Sequence, residues 1–216
     1  MKNALHHMFQ LILTFALLGL SSVQAIAQRD KLIPVLIVDG FSNHDWKQTT
    51  KVTKWILEGS GLFQVYTSTI PSDSAGRSAW LPDFSKYAVV IQNTNNIHNP
   101  GLRWPLRAER ELERYVKRGG GLYILHSGNN AFPHWNEYDK MIGLGWRSKS
   151  VGHAVEIGPN KSIIRYSPGE GEGTGHGERF NAVIQILNRH PINRNYPDQW
   201  QTANTEVYYF PRGPAE

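Results

Sequence analysis

The chain reads as an α/β protein with a doubly wound, mostly parallel sheet, and three observations carry that reading. Apolar, β-branched runs at 32–38, 87–91 and 122–125 are continuous rather than alternating, the pattern of strands buried on both faces. Segments with helical spacing and helix stop signals lie between them. Each run then ends in polar residues, Asp39-Gly40, Gln92 to Asn96 and His126-Ser127, at the edge where open parallel sheets place their ligands. Right-handed crossovers make two covered faces the economical arrangement.

The elements follow in order. Residues 32–38, interrupted by Pro34, form the first strand. Val52, Trp55 and Ile56 repeat at helical spacing, and Gly59 and Gly61 close that helix. Residues 63–67 form strand two, 71–83 a polar loop, and 87–91 strand three. Pro105 suits the first turn of a helix whose apolar positions Leu112, Tyr115 and Val116 lead to the stop Gly119-Gly120-Gly121. Strand four, 122–125, runs into Leu125-His126-Ser127-Gly128. That is the sequence of a sharp elbow, with an imidazole where many α/β enzymes carry a Ser or Cys nucleophile. Past Trp146 comes a glycine-rich loop, 167–177; residues 180–186 and 206–210 are strand-like, and His190-Pro191 begins a turn. The loop lacks the Lys-Ser/Thr ending of a phosphate loop, and its Glu170 and Glu172 would repel phosphate.

Composition bounds the rest. The chain has 216 residues, no cysteine and a net charge of +5. Lys2, the apolar run 9–20 and Ala25-Ile26-Ala27 form a secretory leader over 1–27, too short for a membrane span of about 20 residues. The expected product is periplasmic or secreted, without disulfides and with no membrane attachment after cleavage. Basic residues are dispersed, and Arg107, Arg110, Arg114, Lys117 and Arg118 alternate with Glu109, Glu111 and Glu113. That is a solvated helix face rather than a nucleic-acid patch.

Chemistry is expected at the sheet edge. His126 is the leading candidate for proton transfer, with His44 and the carboxylate Glu206 beside it. Asp39, Asn93, Trp46, Trp146 and His176 are candidates for binding substrate, the two tryptophans as platforms for a sugar face. A divalent metal would need three or four N/O ligands, for which His126, His176 and His190 are the candidates. The competing readings are structural: Asp39 capping a turn, Asn43 or Asp45 capping a helix, His176 on a surface loop and His190 in a pre-proline turn.

Several motifs occur together and in order: Asn43-His44-Asp45-Trp46, Leu125-His126-Ser127-Gly128, Gly145-Trp146-Arg147, Gly175-His176-Gly177, His190-Pro191-Ile192 and Glu206-Val207-Tyr208. From about residue 32 to the end the chain resembles ThuA-like (trehalose utilisation) domains. The resemblance implies a flavodoxin-like sheet similar to class I glutamine amidotransferases, without their cysteine and so without their activity. It also implies a role in carbohydrate breakdown, with a 3-keto-glycoside as substrate. Two departures stand out: Thr202 and Thr205 replace polar family positions, and the family domain continues into further strands past the Arg212-Gly213-Pro214-Ala215 segment where this chain stops. A truncated domain over 32–216 is therefore expected. A non-catalytic sugar-binding module and an inactive remnant stand as alternatives to an enzyme that cleaves glycosides.

Overall fold

The computed structural model describes residues 31–214, and the expected leader at 1–27 lies outside them. The order of elements is β1 (Ile33–Asp39), α1 (Trp46–Gly59), β2 (Phe63–Thr69), α2 (Ser74–Ala79), β3 (Val89–Gln92), α3 (Leu106–Lys117), β4 (Gly121–Ile124) and α4 (Asn136–Ile142). These build a four-stranded sheet in the order β2-β1-β3-β4. Strands β1 and β3 pair in parallel, Val35 opposite Val89, and β3 and β4 do likewise, Val89 opposite Gly121. The protein is thus mixed α/β, as expected from the sequence.

Two apolar layers explain why the strand sequences are continuous. Leu36, Val38 and Val90 face a layer built by Ala108, Leu112 and Tyr115 of α3, with Trp104, Phe132, Trp135 and Tyr138 packed behind. Val35, Ile37, Val65 and Ile91 face the other way, against Leu57 of α1. Complete burial of one such aliphatic side chain contributes roughly 1.5–3 kcal/mol, so this double coverage is what makes the short strands viable.

Helix α1 forms where the helical spacing of Val52, Trp55 and Ile56 places it, but those three side chains are exposed, Trp55 at 75%. The face turned inward instead carries Thr50, Thr53 and Leu57. A buried polar tie sets this rotation: the Thr50 hydroxyl donates to Asp39 Oδ2 (2.7 Å), and Asn93 Nδ2 donates to Thr50 Oγ1 (3.0 Å) and to the Trp46 carbonyl (3.1 Å). Giving one buried carboxylate oxygen a partner outweighs the modest gain from turning an apolar stripe inward. Asp45 caps the helix by accepting from the Gln48 amide (3.0 Å).

The remaining elements form small sheets. They are β5 (His153–Ile157), β6 (Ile163–Tyr166), β7 (Gly175–His176), β8 (Phe180–Gln185), β9 (Gln199–Thr205), β10 (Tyr208–Tyr209) and β11 (Arg212–Gly213). β11, β5 and β6 form one sheet, β8 and β9 a hairpin, and β7 and β10 a two-stranded pair. The expected strand 206–210 is broken, because Glu206 and Val207 lie between β9 and β10. Residues 71–83, expected as loop, contain the one-and-a-half-turn α2, capped by Asp73.

Two buried arginines join these parts. Arg147, 3% exposed, donates from Nε (2.9 Å) and Nη2 (2.6 Å) to Asp139 Oδ1 of α4. Its guanidinium also donates to the carbonyls of Asn129 (3.2 Å), Ala131 (2.9 Å) and Trp146 (2.8 Å). Arg212 is fully buried and donates to the carbonyls of Glu170, Glu172 and Gly152, which orders the glycine-rich loop. Removing one member of a buried charge pair strands the other, at a cost of about 3–5 kcal/mol. Arg147→Ala is expected to lower the unfolding free energy by that amount in a urea titration, and Arg147→Lys to recover little of it, since an ammonium cannot reproduce the fork.

Candidate functional site

The elbow after β4 is strained at the residue that matters. His126 has φ +44°, in the left-handed region that bulky side chains seldom occupy, and it opens a 3-10 turn over His126–Asn130. The turn throws the imidazole out to solvent while the next residue, Ser127, is buried with its hydroxyl 3.5 Å from that of Ser42. Glycine is required two residues on, because a Cβ at Gly128 would meet Gln92 Oε1 and the Gln92 carbonyl at 2.8 and 3.0 Å.

His44, from the loop after β1, comes to His126 with ring centroids 4.8 Å apart. Partial desolvation pushes the His126 pKa below the ordinary imidazole value, His44 and Arg179 push it the same way, and Glu206 opposes them. The ring is thereby biased towards the neutral form that accepts a proton.

A second group of side chains comes from the small strands. Arg179 grips Glu206 Oε1 through Nε (3.2 Å) and Nη2 (3.0 Å), and the other carboxylate oxygen lies 3.7 Å from His176 Nε2. The Arg179 hydrogen bond leads in holding the Glu206 pKa below its usual value, with His176 and His126 adding to it. Glu206 therefore stays ionised at neutral pH and supplies charge rather than a proton. The rings of Trp146, His176 and Tyr208 make an aromatic wall: Trp146 meets Tyr208 edge-on at 4.8 Å, and His176 stacks on Tyr208 at 6.2 Å. Burial raises the Tyr208 pKa, so the phenol keeps its proton, and the Asn130 amide lies beside it.

The expected residues divide on placement. His44, His126, His176, Trp146 and Glu206 fall into these two neighbouring groups. Asp39 and Asn93 are tied into the network that orients α1, as described above, and Trp46 begins that helix with the Lys47 ammonium 5.4 Å from its ring centroid. His190 is turned to another task. Its Nδ1 accepts from the Ile192 amide (3.2 Å) and its own amide donates to Asn193 Oδ1 (2.8 Å), which caps a short 3-10 turn. Among the described residues no three His, Asp or Glu side chains converge as a metal-ligand set, so the trio His126, His176 and His190 does not fit a divalent ion.

Arg179 and Asn130 are not among the sequence candidates, and Tyr208 stands there only within the Glu206-Val207-Tyr208 motif. The available signals were slight: Arg179 lies three residues after His176, and Tyr208 two after Glu206. Asp39 Oδ1, Asn129 Oδ1 and Asn130 Oδ1 are buried without a partner among the described residues. They lie at the end of β1 and in the elbow, so unsatisfied polarity collects where the backbone is also strained.

The family described as ThuA, trehalose utilisation, matches residues 34–216. A crystal structure of a ThuA-like protein from Parabacteroides merdae is 32% identical with a TM-score of 0.76, over 85% of this chain. This chain spans 65% of the length of that one. No curated protein matches it.

The strain at the elbow can be measured directly. Glycine relieves a left-handed position that costs other residues about 1–2 kcal/mol, so His126→Gly should be more stable than His126→Ala by about 1 kcal/mol in denaturant unfolding.

Proposed function

The chain belongs to the ThuA family, and from that premise we propose that its sheet-edge cleft binds a small carbohydrate and cleaves a glycosidic bond by proton transfer, with His126 as the base. The observation that carries this reading is the His44–His126 contact at 4.8 Å on a strained elbow, in a field that favours the neutral imidazole.

For a 3-keto-glycoside the chemistry is direct. The hydrogen on C2 lies α to the C3 carbonyl and is acidic for that reason. His126 takes this proton, and the electron pair left on C2 forms the C1–C2 double bond as the C1–oxygen bond breaks. The departing oxygen accepts a proton from a donor in the cleft, and addition of water across the new double bond completes a hydrolysis. Tyr208, held protonated by its burial, is suited to donate a hydrogen bond to a sugar oxygen. Trp146 offers a ring for a sugar face, and Glu206 positions Arg179 and His176 through its two oxygens.

The strand order β2-β1-β3-β4 and the two apolar layers support the doubly wound, flavodoxin-like reading of the sheet. The leader pattern at 1–27 supports export to a periplasm or beyond. The sheet-edge residues would equally serve a binding module, and turnover separates the two readings.

His126→Ala is expected to abolish release of the leaving group from a 3-keto-glucoside, followed by chromatography, while the unfolding transition stays cooperative. Binding of that substrate by the wild-type chain without any turnover would replace the enzyme with a sugar-binding module. The pH profile gives a second test. The acid limb of kcat/KM should lie below the ordinary imidazole pKa of about 6.5. His44→Asn removes the imidazole that disfavours protonation of His126, so the His126 pKa rises and the limb moves to higher pH. Glu206→Gln removes the charge that opposes the shift, and the limb moves to lower pH.

A further inference from the structure

Helix α3 carries a feature that the carbohydrate cleft does not use. Arg107, Arg110, Arg114 and Arg118 recur at three- and four-residue intervals, so they share one face of the helix, and Arg103 precedes them by the same spacing. The opposite face is the core stripe Ala108, Leu112 and Tyr115. The interleaved glutamates do not neutralise this row evenly. Glu109 is taken by Arg103, with three nitrogen–oxygen contacts of 2.8–3.2 Å. Glu111 pairs with Arg114, and Glu113 accepts from the Trp135 indole (2.7 Å).

An open cavity of about 750 Å³ lies against the first half of this face, lined by Arg77, Arg103, Arg107, Arg110 and Arg114 around Trp104. Among the described residues no carboxylate lines it. Arg77 comes from α2 and donates to the Ser72 carbonyl (2.9 Å), and Arg107 donates to the Ser78 carbonyl (2.8 Å). These carbonyls fix the two guanidinium groups without cancelling their charge. Arg110 has no ion-pair or hydrogen-bond partner among the described residues. With Arg103 and Arg114 compensated, three net positive charges from two helices remain on one cavity. Gathering like charges costs energy that a bound anion returns, and planar guanidinium forks match tetrahedral oxyanions in geometry.

We propose that this cavity is a binding site for a small ligand bearing a phosphate or sulfate group, held chiefly by Arg77, Arg107 and Arg110. It is separate from the His126 cleft, with which it shares none of the residues named there, and it does not depend on the reaction assigned to that cleft. The convergence of arginines from two helices on one concavity favours a compact anion over a polyanion lying along the helix.

The test is calorimetric titration of the chain with inorganic phosphate and, separately, with sulfate, against sodium chloride at equal ionic strength. Saturable binding of one anion per chain is expected, and the tighter of the two identifies the ester class. Arg110→Ala, which breaks no internal bond, should weaken binding about tenfold, the effect of losing one charge-assisted contact. Arg118→Ala, on the same face but outside the cavity, should change it less than twofold, and His126→Ala should leave it unchanged. The proposal is overturned by heats that chloride reproduces, by an Arg110→Ala variant that binds as the wild type does, or by binding seen only with DNA or another polyanion.

Discussion

The Arg147 guanidinium is the constraint on which the candidate site rests. It is buried between α4 and the elbow, and its donors go to one carboxylate oxygen and to three carbonyls, two of which belong to the elbow and the residue after it. The His126–Asn130 turn is too short to hold itself in a left-handed start, because a single 3-10 turn gains few internal hydrogen bonds. The carbonyls of Asn129 and Ala131 are where the strain could relax, and Arg147 occupies both. The same residue reaches the small strands: its amide is bonded to the Thr174 hydroxyl (3.2 Å), and its carbonyl accepts from the Thr174 amide (3.0 Å) one residue before β7. One buried cation therefore fixes His126 from one side and the start of the His176 strand from the other.

The electrostatics around His126 follow from that placement. Two imidazoles at 4.8 Å cannot both be charged without repulsion, so His44 lowers the proton affinity of His126 whatever its own role. Among the described residues Glu206 is the carboxylate that acts on His126, and it is shared with Arg179 and His176. Sharing keeps it from becoming a strong local partner for His126, which would raise the imidazole pKa. An ionised Glu206 and a protonated Tyr208 on the same short stretch give the candidate site both an anion and a neutral donor.

The sequence made the parallel sheet legible because each strand is buried on both faces, and double burial writes itself as an uninterrupted apolar run. It made the elbow legible because glycines and small residues surround one polar side chain. What failed to show was anything decided by polar bonds between distant residues. The rotation of α1 is set by Asp39, Thr50 and Asn93, and no periodicity reveals a tie from residue 50 to residues 39 and 93. The candidate site was legible by half: the histidines and Glu206 stood out by type, whereas Arg179 and Tyr208 acquire significance only when β7 and β10 pair, Tyr208 opposite His176. His190 looked like a ligand because it is a histidine, but its position before a proline favours the capping conformation it adopts.

That pairing also explains how weak sheets support a defined group of side chains. β7 and β10 contribute two residues each, far below what an isolated pair of strands needs to persist in water. Their register is imposed from outside. The Thr174 hydroxyl donates to the Phe210 carbonyl (2.8 Å), just beyond β10, and Gly145 exchanges two backbone hydrogen bonds with Arg212 (2.7 and 3.0 Å), next to Trp146. Gly213 lies so close to the Gly143 carbonyl that a side chain there would displace it. The aromatic wall of Trp146, His176 and Tyr208 is thus held by contacts at the ends of its strands rather than by the strands themselves. A site built in this way can vary the side chains along its aromatic wall while Arg147, Thr174, Arg212 and Gly213 keep the backbone in place.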